Sequence, residues 1–241
     1  MPHDDTTLTG QVILVTGVTG GIGSATAHRL AEAGASLALA GRDATRVRHL
    51  AEQISGPHLP LAFDVTDEQA VSDAMDRTAA HFGRLDTLIN VPGLSVPAKL
   101  VEMDVDDFDR TFDVNVKGMF LCSKHFIQHV DVQRGGLIVN ISSVAGRAAN
   151  PNAPAYCAAK AAMNMLANGL ALQTREANVR ISVISPGAVS TKGFWGDRPV
   201  PHEKFLKPED VAEVIAGVLA LPRHIVVHDV VFESWEFFKS K

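Results

Sequence analysis

An α/β fold is what this sequence predicts: one domain on a doubly wound parallel sheet of about seven strands, with helices on both faces. Three observations carry it. Strand-length apolar runs alternate with helical stretches from end to end. A glycine-rich turn joins the first strand to the first helix. No linker, repeat or low-complexity tract divides the 241 residues, so the domain is expected to span 1–241.

Each element has a local reason. The runs 11–16, 36–41, 59–63, 86–90, 136–142, 180–185 and 226–232 read as strands, because they carry β-branched residues and are flanked by glycines. They are far shorter than the roughly 20 apolar residues of a membrane span, so no transmembrane helix and no membrane partner are expected. Helices are expected over 21–33, 43–55, 67–82, 104–131, 154–178 and 208–220, with Asp43, Thr66 and Pro208 as N-terminal signals. Such alternation implies right-handed crossovers. The stretch 186–207 has no period, is rich in Gly and Pro, and carries Phe194, Trp195 and Phe205. A loop of that length is expected to be functional, a substrate lid at about 188–207. Its aromatic residues either meet an apolar substrate or pack the lid shut.

Composition narrows the function. Lys+Arg 22 against Asp+Glu 27 gives a net charge of −5 without a basic run, so nucleic acid is not an expected partner. The start, MPHDDTTLTG, lacks a basic region and an apolar stretch, and a cytoplasmic location is expected. Cys122 and Cys157 are too few for a disulfide framework and are expected to be reduced and structural. His125 and His129 stand at i, i+4 with no acidic or cysteine partner nearby in sequence, and no metal site is expected.

Motifs follow almost every strand. TGVTGGIG, 16–23, runs into a helix: Gly17 permits a tight turn, Gly21 and Gly23 allow close approach to a pyrophosphate, and free N–H groups at the helix start attract its charge. The second strand ends in Gly41 and Arg42, where a carboxylate would select NAD and an arginine accommodates the 2′-phosphate of NADP. NADP(H) is favoured, with NAD(H) possible, because the glycine-rich turn, with Gly20 in it, carries no second basic residue. Thr19 and Arg46 are within reach of the same phosphate. The alternative is that Arg42 is a solvated surface arginine. After the third strand, Asp64 either accepts from the adenine amino group or begins the next helix near Thr66. Further on, Ser143 precedes Tyr156 and Lys160, which share one helical face behind Pro154. A lysine ammonium near a tyrosine lowers its pKa and makes it a usable acid/base, and the serine hydroxyl offers a hydrogen bond to a substrate oxygen. A YxxxK alone is common and often means an inward aromatic beside a snorkelling lysine.

Taken together, TGVTGGIG, FDV, INVPG, NVKG, the serine with YCAAK, and ISPGAVST resemble the short-chain dehydrogenases/reductases in order and spacing, over nearly the whole chain. The resemblance implies a Rossmann-type domain, with Tyr156 as general acid/base, Lys160 on the nicotinamide ribose and tuning Tyr156, and Ser143 positioning the reacting oxygen. It implies that Asn115 holds a water in the proton relay. It also sets Pro186, Gly187 and Thr191 toward the nicotinamide carboxamide, with Val189 against the ring. Ile22, Val65, Asn90 and Gly93 complete the cofactor contacts. Two departures stand out. Asn90-Val91-Pro92-Gly93 replaces the family's Asn-Asn-Ala-Gly, losing one amide and one N–H, and the tail VVHDVVFESWEFFKSK lacks the family's glycine pair.

The expected activity is hydride transfer between NADP(H) and a small-molecule carbonyl or secondary alcohol. The alternatives are a dinucleotide-binding sensor, which would not need all of Ser143, Tyr156, Lys160 and Asn115, and an epimerase or dehydratase using the same residues. The small residues of 154–178, with the helix 104–131, point to a homodimer or homotetramer.

Overall fold

The computed structural model describes residues 7–240. Most of the polar start on which the cytoplasmic expectation rests lies outside them. Seven strands, β1 (Val12–Thr16), β2 (Ser36–Gly41), β3 (His58–Ala62), β4 (Thr87–Asn90), β5 (Gly136–Ile141), β6 (Val179–Pro186) and β7 (Asp229–Phe232), form one sheet in the order β3-β2-β1-β4-β5-β6-β7. Every pairing is parallel. The order reverses between β1 and β4, and the carboxyl ends of those strands frame a crevice, as parallel sheets of this kind require.

Alternation along the strands builds two cores. Ile13 and Val15 of β1, Leu37 and Leu39 of β2 and Ile184 of β6 face one side. There α1 (Gly21–Glu32) and α8 (Pro208–Leu219) bury Leu30, Val211, Ile215 and Leu219 against them. Val12, Leu14, Ala38, Leu88, Ile138 and Ile181 face the other side, under Met75 of α3 (Glu68–Phe82), Leu121 and Phe126 of α5 (Gly118–His129) and Ala167 of α6 (Pro154–Gln173). Burial on both faces explains why β1 reads as a continuous apolar run.

The expected helix 104–131 is two helices, α4 (Val105–Phe112) and α5, joined by one π-turn, Asp113–Lys117. The Gly118 N–H reaches back to the Asp113 carbonyl, five residues away. The helix expected to run to 178 ends at Gln173, where the Thr174 hydroxyl donates to the Leu170 carbonyl, and the chain leaves through Asn178 at φ 55. Asp43 caps α2 (Ala44–Ala51) and Pro208 opens α8 as expected, whereas α3 is capped by Asp67, not Thr66. The last strand is shorter than 226–232, and its exposed Val231 marks it as a sheet edge. The segment after β6 folds over the crevice through α7 (Lys192–Trp195), a parallel bridge between Val189 and Leu206, and a 3₁₀ turn at His202–Lys204. Finally, α9 (Trp235–Phe238) packs the tail beneath it.

Between α3 and α5, His125 Nε2 lies 3.4 Å from Glu68 and His129 Nε2 lies 2.9 Å from Asp76. The acidic partners not visible near these histidines in sequence come from α3. These are one-to-one contacts between a ring nitrogen and a carboxylate, and among the described residues no three His, Cys, Asp or Glu side chains gather to hold a metal. Both cysteines are free, and burial pushes the Cys122 thiol up to about 12.

Candidate active site

A cleft of about 1250 Å³ opens along the carboxyl ends of the strands. At its floor the β1–α1 turn is held by glycine geometry. Gly17 has φ +73, and a Cβ on Gly23 would stand 2.2 Å from the Gly17 carbonyl oxygen. The N-cap of α1 is Gly20, which has no side chain to satisfy the N–H groups of the first helical turn, so these remain available to an anion. Gly21 adjoins Thr191: a Cβ there would meet Thr191 Cγ2 at 2.7 Å.

At one end, Arg42 is exposed and lines the cleft together with Thr19 and Arg46. Arg46 reaches from α2 to donate to the Thr19 carbonyl at 2.5 Å, which joins a second guanidinium to the glycine-rich turn. The Asp64 side chain accepts from the Thr66 N–H at 2.9 Å and hydroxyl at 2.8 Å, and the residue also lines the cleft beside Val65. It thus orders the approach to α3 without being its cap, and only its Oδ1 is used.

After β4, Asn90 is buried and donates to Asn140 Oδ1 at 2.9 Å, tying β4 to β5 away from the cleft. Pro92 packs on Gly17, its nitrogen 3.1 Å from where a Cβ would stand. The proline ring therefore occupies the glycine turn's open flank. Gly93 faces both Lys160 and Asn115; its Cβ position is 3.4 Å from Lys160 Nζ and 3.5 Å from Asn115 Oδ1.

The π-turn places Asn115 in the interior. Its amide donates to the carbonyls of Thr111, at 2.7 Å, and Leu94, at 2.8 Å, while Oδ1 is buried without a hydrogen-bond partner among the described residues. A π-turn widens one helical turn and frees backbone carbonyls for such contacts, which is why these turns recur at functional sites.

Ser143 follows β5 and caps a short turn, its hydroxyl accepting from the Ala145 N–H at 3.1 Å. That turn lies on α6 because Gly146 lacks a side chain: a Cβ would meet Asn164 Nδ2 at 2.8 Å and the Lys160 backbone at 2.9 Å. Tyr156, one turn before Lys160, is half-buried with its ring in the cleft. Lys160 is 2% exposed; its Nζ donates to the Ile141 carbonyl at 2.9 Å and lies 5.8 Å from the centre of the Tyr156 ring. Burial pushes Tyr156 up to about 12, against the pull of a hydrogen bond with Ser143, and lowers Lys160 to about 7. The expected lowering of the tyrosine by the lysine is therefore not what the structure gives. Desolvation outweighs the ion here, because a lysine sharing the same dry site is itself driven toward the neutral amine.

The far end is aromatic. Ring centres run from Tyr156 to Phe194 at 5.7 Å, to Trp195 at 5.3 Å, to Phe205 at 5.1 Å and to Phe237 of the tail at 5.0 Å. Trp195 donates to the Val189 carbonyl at 2.7 Å, and Arg198 stacks over its ring at 4.8 Å. Trp195 thus packs its own segment, while Phe194 also touches the candidate acid/base. Pro186, Gly187, Val189 and Thr191 line the wall between.

Every site residue expected from sequence except Asn90 and Asn115 lines this one cleft. Those two stand behind it, Asn115 against Gly93. Arg198, Gly146, Glu233 and Phe237 were not foreseen. The signal for the last two was present in the unusual tail, but nothing local says that a tail returns to the cleft.

Known proteins agree with this architecture. A family model described as short chain dehydrogenase matches residues 11–199. An uncharacterized oxidoreductase of Staphylococcus aureus strain USA300 is 33% identical over 226 residues, covering 93% of this chain and 97% of the relative. The solved alcohol dehydrogenase from the archaeon Thermococcus sibiricus, complexed with 5-hydroxy-NADP, matches with TM-score 0.86 and 28% identity, over 94% of this chain and 97% of that one. A 7α-hydroxysteroid dehydrogenase complexed with NADH and 7-oxo glycochenodeoxycholic acid matches with TM-score 0.89 and 26% identity, over 98% and 97%.

Proposed function

Because the chain belongs to the short-chain dehydrogenase/reductase family and is an oxidoreductase, we propose that it transfers a hydride between NADP(H) and the carbonyl or secondary alcohol of a small molecule, with Tyr156 as general acid/base. The observation that carries this reading is the meeting of Ser143, Tyr156 and Lys160 in the cleft that the glycine-rich turn and two arginines enter from the other end. The cofactor supplies the hydride when bound.

The residues present fit that cofactor. The α1 N-terminus, with no side chain at Gly17, Gly20, Gly21 or Gly23, would hold the pyrophosphate. Arg42 and Arg46 would hold a 2′-phosphate, with Thr19 adding a hydroxyl. Asp64 and Val65 would border the adenine. Asn90 braces the β4 end and Gly93 leaves room for the ribose, while Ile22, Pro186, Gly187, Val189 and Thr191 would border the nicotinamide half. NAD(H) is the lesser candidate, because no carboxylate stands at Gly41.

In the reducing direction, Ser143 and Tyr156 hold the substrate oxygen and the phenol gives up its proton. A phenol raised toward 12 is a reluctant base but a fully protonated acid, which suits that step. Lys160 holds the proton supply beside it, and the unpaired Asn115 Oδ1 provides an acceptor for a relay water. The segment 188–207 serves as the lid.

Two free thiols fit a reducing, cytoplasmic compartment. Exposed Phe108 on α4, Phe120 on α5, and Met165 and Leu172 on α6 fit a homodimer or homotetramer joined through those helices. Absorbance of NADPH with a panel of ketones, aldehydes and oxoacyl thioesters tests the activity. Oxidation of NADPH that depends on the carbonyl is expected. Its absence across the panel, with product from a sugar nucleotide and no net cofactor turnover, would replace it with epimerisation or dehydration.

A further inference from the structure

The lid carries its own clamp. Lys192–Trp195 makes a single helical turn, α7, and a helix this short leaves its last carbonyls without partners inside it. Arg198 supplies them. Its Nε donates to the Trp195 carbonyl at 2.8 Å and its Nη2 to the Phe194 carbonyl, so the planar guanidinium spans two successive carbonyls. The same group lies over both rings, 4.8 Å from the centre of Trp195 and 5.7 Å from that of Phe194. Trp195 has a second anchor, its indole N–H on the Val189 carbonyl. Phe194 has no polar handle, so its place is set by the backbone that bears it.

That backbone holds the Phe194 ring 5.7 Å from the Tyr156 ring, at 60°. Facing the phenol are Ser143, which bonds it from the turn after β5, Cys157 and Lys160 on α6, and Phe194 on the lid. Of these four, only Phe194 arrives on the irregular segment that folds over the cleft. Burial pushes the phenol up to about 12. An apolar ring on one side adds to that dryness, whereas a cation in the same place would favour phenolate. The charge of Arg198 and the ring it holds therefore act on Tyr156 in opposite senses.

We propose that Arg198 is a positioning residue for the reaction, whose guanidinium fixes α7 so that Phe194 stays against Tyr156 and keeps water from the phenol. Its bearing on catalysis rests on the role of Tyr156 given above.

The chain contains one tyrosine, so phenolate absorbance reports Tyr156 alone and needs neither cofactor nor turnover. Full-length wild type, Arg198→Met and Arg198→Lys are titrated with alkali and compared at each pH where near-ultraviolet circular dichroism shows all three folded. In both variants Tyr156 should ionise at a pH lower by about half a unit or more, because water reaches it. Loss of charge alone would move the methionine variant the other way. An unchanged or raised Tyr156 in Arg198→Met, or wild-type behaviour in Arg198→Lys, would overturn the proposal. Phe194→Ala should lower Tyr156 at least as far, and adding Arg198→Met to it should lower Tyr156 no further. Additive shifts, or no shift in Phe194→Ala, would equally overturn it. With a carbonyl that wild type reduces, Arg198→Met should lower kcat/KM about tenfold while the NADPH dissociation constant stays within about twofold. An unchanged kcat/KM would leave Arg198 a packing residue and refute the positioning role. Failure of the oxidoreductase reading shows separately, as no turnover in the carbonyl panel, and the titration still decides what Arg198 does to Tyr156.

Discussion

Replacing Lys160 by methionine should flatten the dependence of stability on pH. Burial lowers this ammonium from an ordinary 10.5 to about 7. Between those values the unfolded chain binds more protons at this site than the folded chain, so folding becomes more favourable as pH rises. The slope is at most about 1.4 kcal/mol per pH unit. Counting the half-protonated folded lysine at pH 7, wild type should gain about 2 kcal/mol between pH 7 and 9 from this residue. Cys122 and Tyr156, both held near 12, act in the opposite sense, but from about 9 and about 10 upward, so the interval isolates the lysine. Methionine also leaves the Ile141 carbonyl without its donor, a cost of roughly 1–3 kcal/mol that does not vary with pH. The slope is therefore the measurement, and the offset is not. Urea unfolding without cofactor, at one protein concentration and ionic strength, should show wild type gaining about 2 kcal/mol on the variant from pH 7 to 9. Parallel lines, with a gain of about 0.5 kcal/mol or less, would refute a desolvated lysine.

Tyr156→Phe should reduce turnover by about 10²–10⁴-fold while changing the dissociation constant of NADPH less than about threefold, measured by fluorescence titration. Arg42→Ala should weaken NADPH by about thirtyfold, or ~2 kcal/mol, and barely affect NADH, with Arg46→Ala acting in the same direction; equal constants for the two cofactors in wild type would remove the NADP preference. Gly23→Ala forces the Gly17 carbonyl aside and should abolish cofactor binding, with a loss of about 2 kcal/mol or more in denaturant unfolding. Leu172→Glu on exposed α6 should shift sedimentation toward monomer, whereas a wild-type monomer at micromolar concentration would contradict the assembly.

What could be read in advance follows from the range of the interactions. Strands buried on both faces advertise themselves as apolar runs, and Asp43 and Pro208 mark helix starts within a single turn of chain. Thr66 misled because Asp67 beside it is an equally good cap, and the neighbouring carboxylate of Asp64 claims the threonine hydroxyl. The π-turn is hard to read because the roughly 100° step in phase that one extra residue makes shows only against a long pattern on both sides, and α4 before it is two turns long. The raised tyrosine depends on how dry the cleft is, a property of the whole packed domain. The return of Phe237 to Phe205 joins residues far apart in sequence, and nothing local announces it.

The π-turn at Asp113–Lys117 makes length, rather than residue identity, a heritable variable of this protein. An α-helix advances by roughly 100° and 1.5 Å per residue, so deleting one residue there would yield an unbroken helix with more regular hydrogen bonds. It would also swing α4 and Asn115 by about that angle relative to α5, carrying the amide away from Gly93 and Lys160. The shortened chain would be the better helix and, on the proposed role of Asn115, the poorer catalyst. Selection on folding alone would erase the extra residue, so single-residue insertions and deletions in this helix would record the loss or gain of chemistry that substitutions elsewhere leave unmarked.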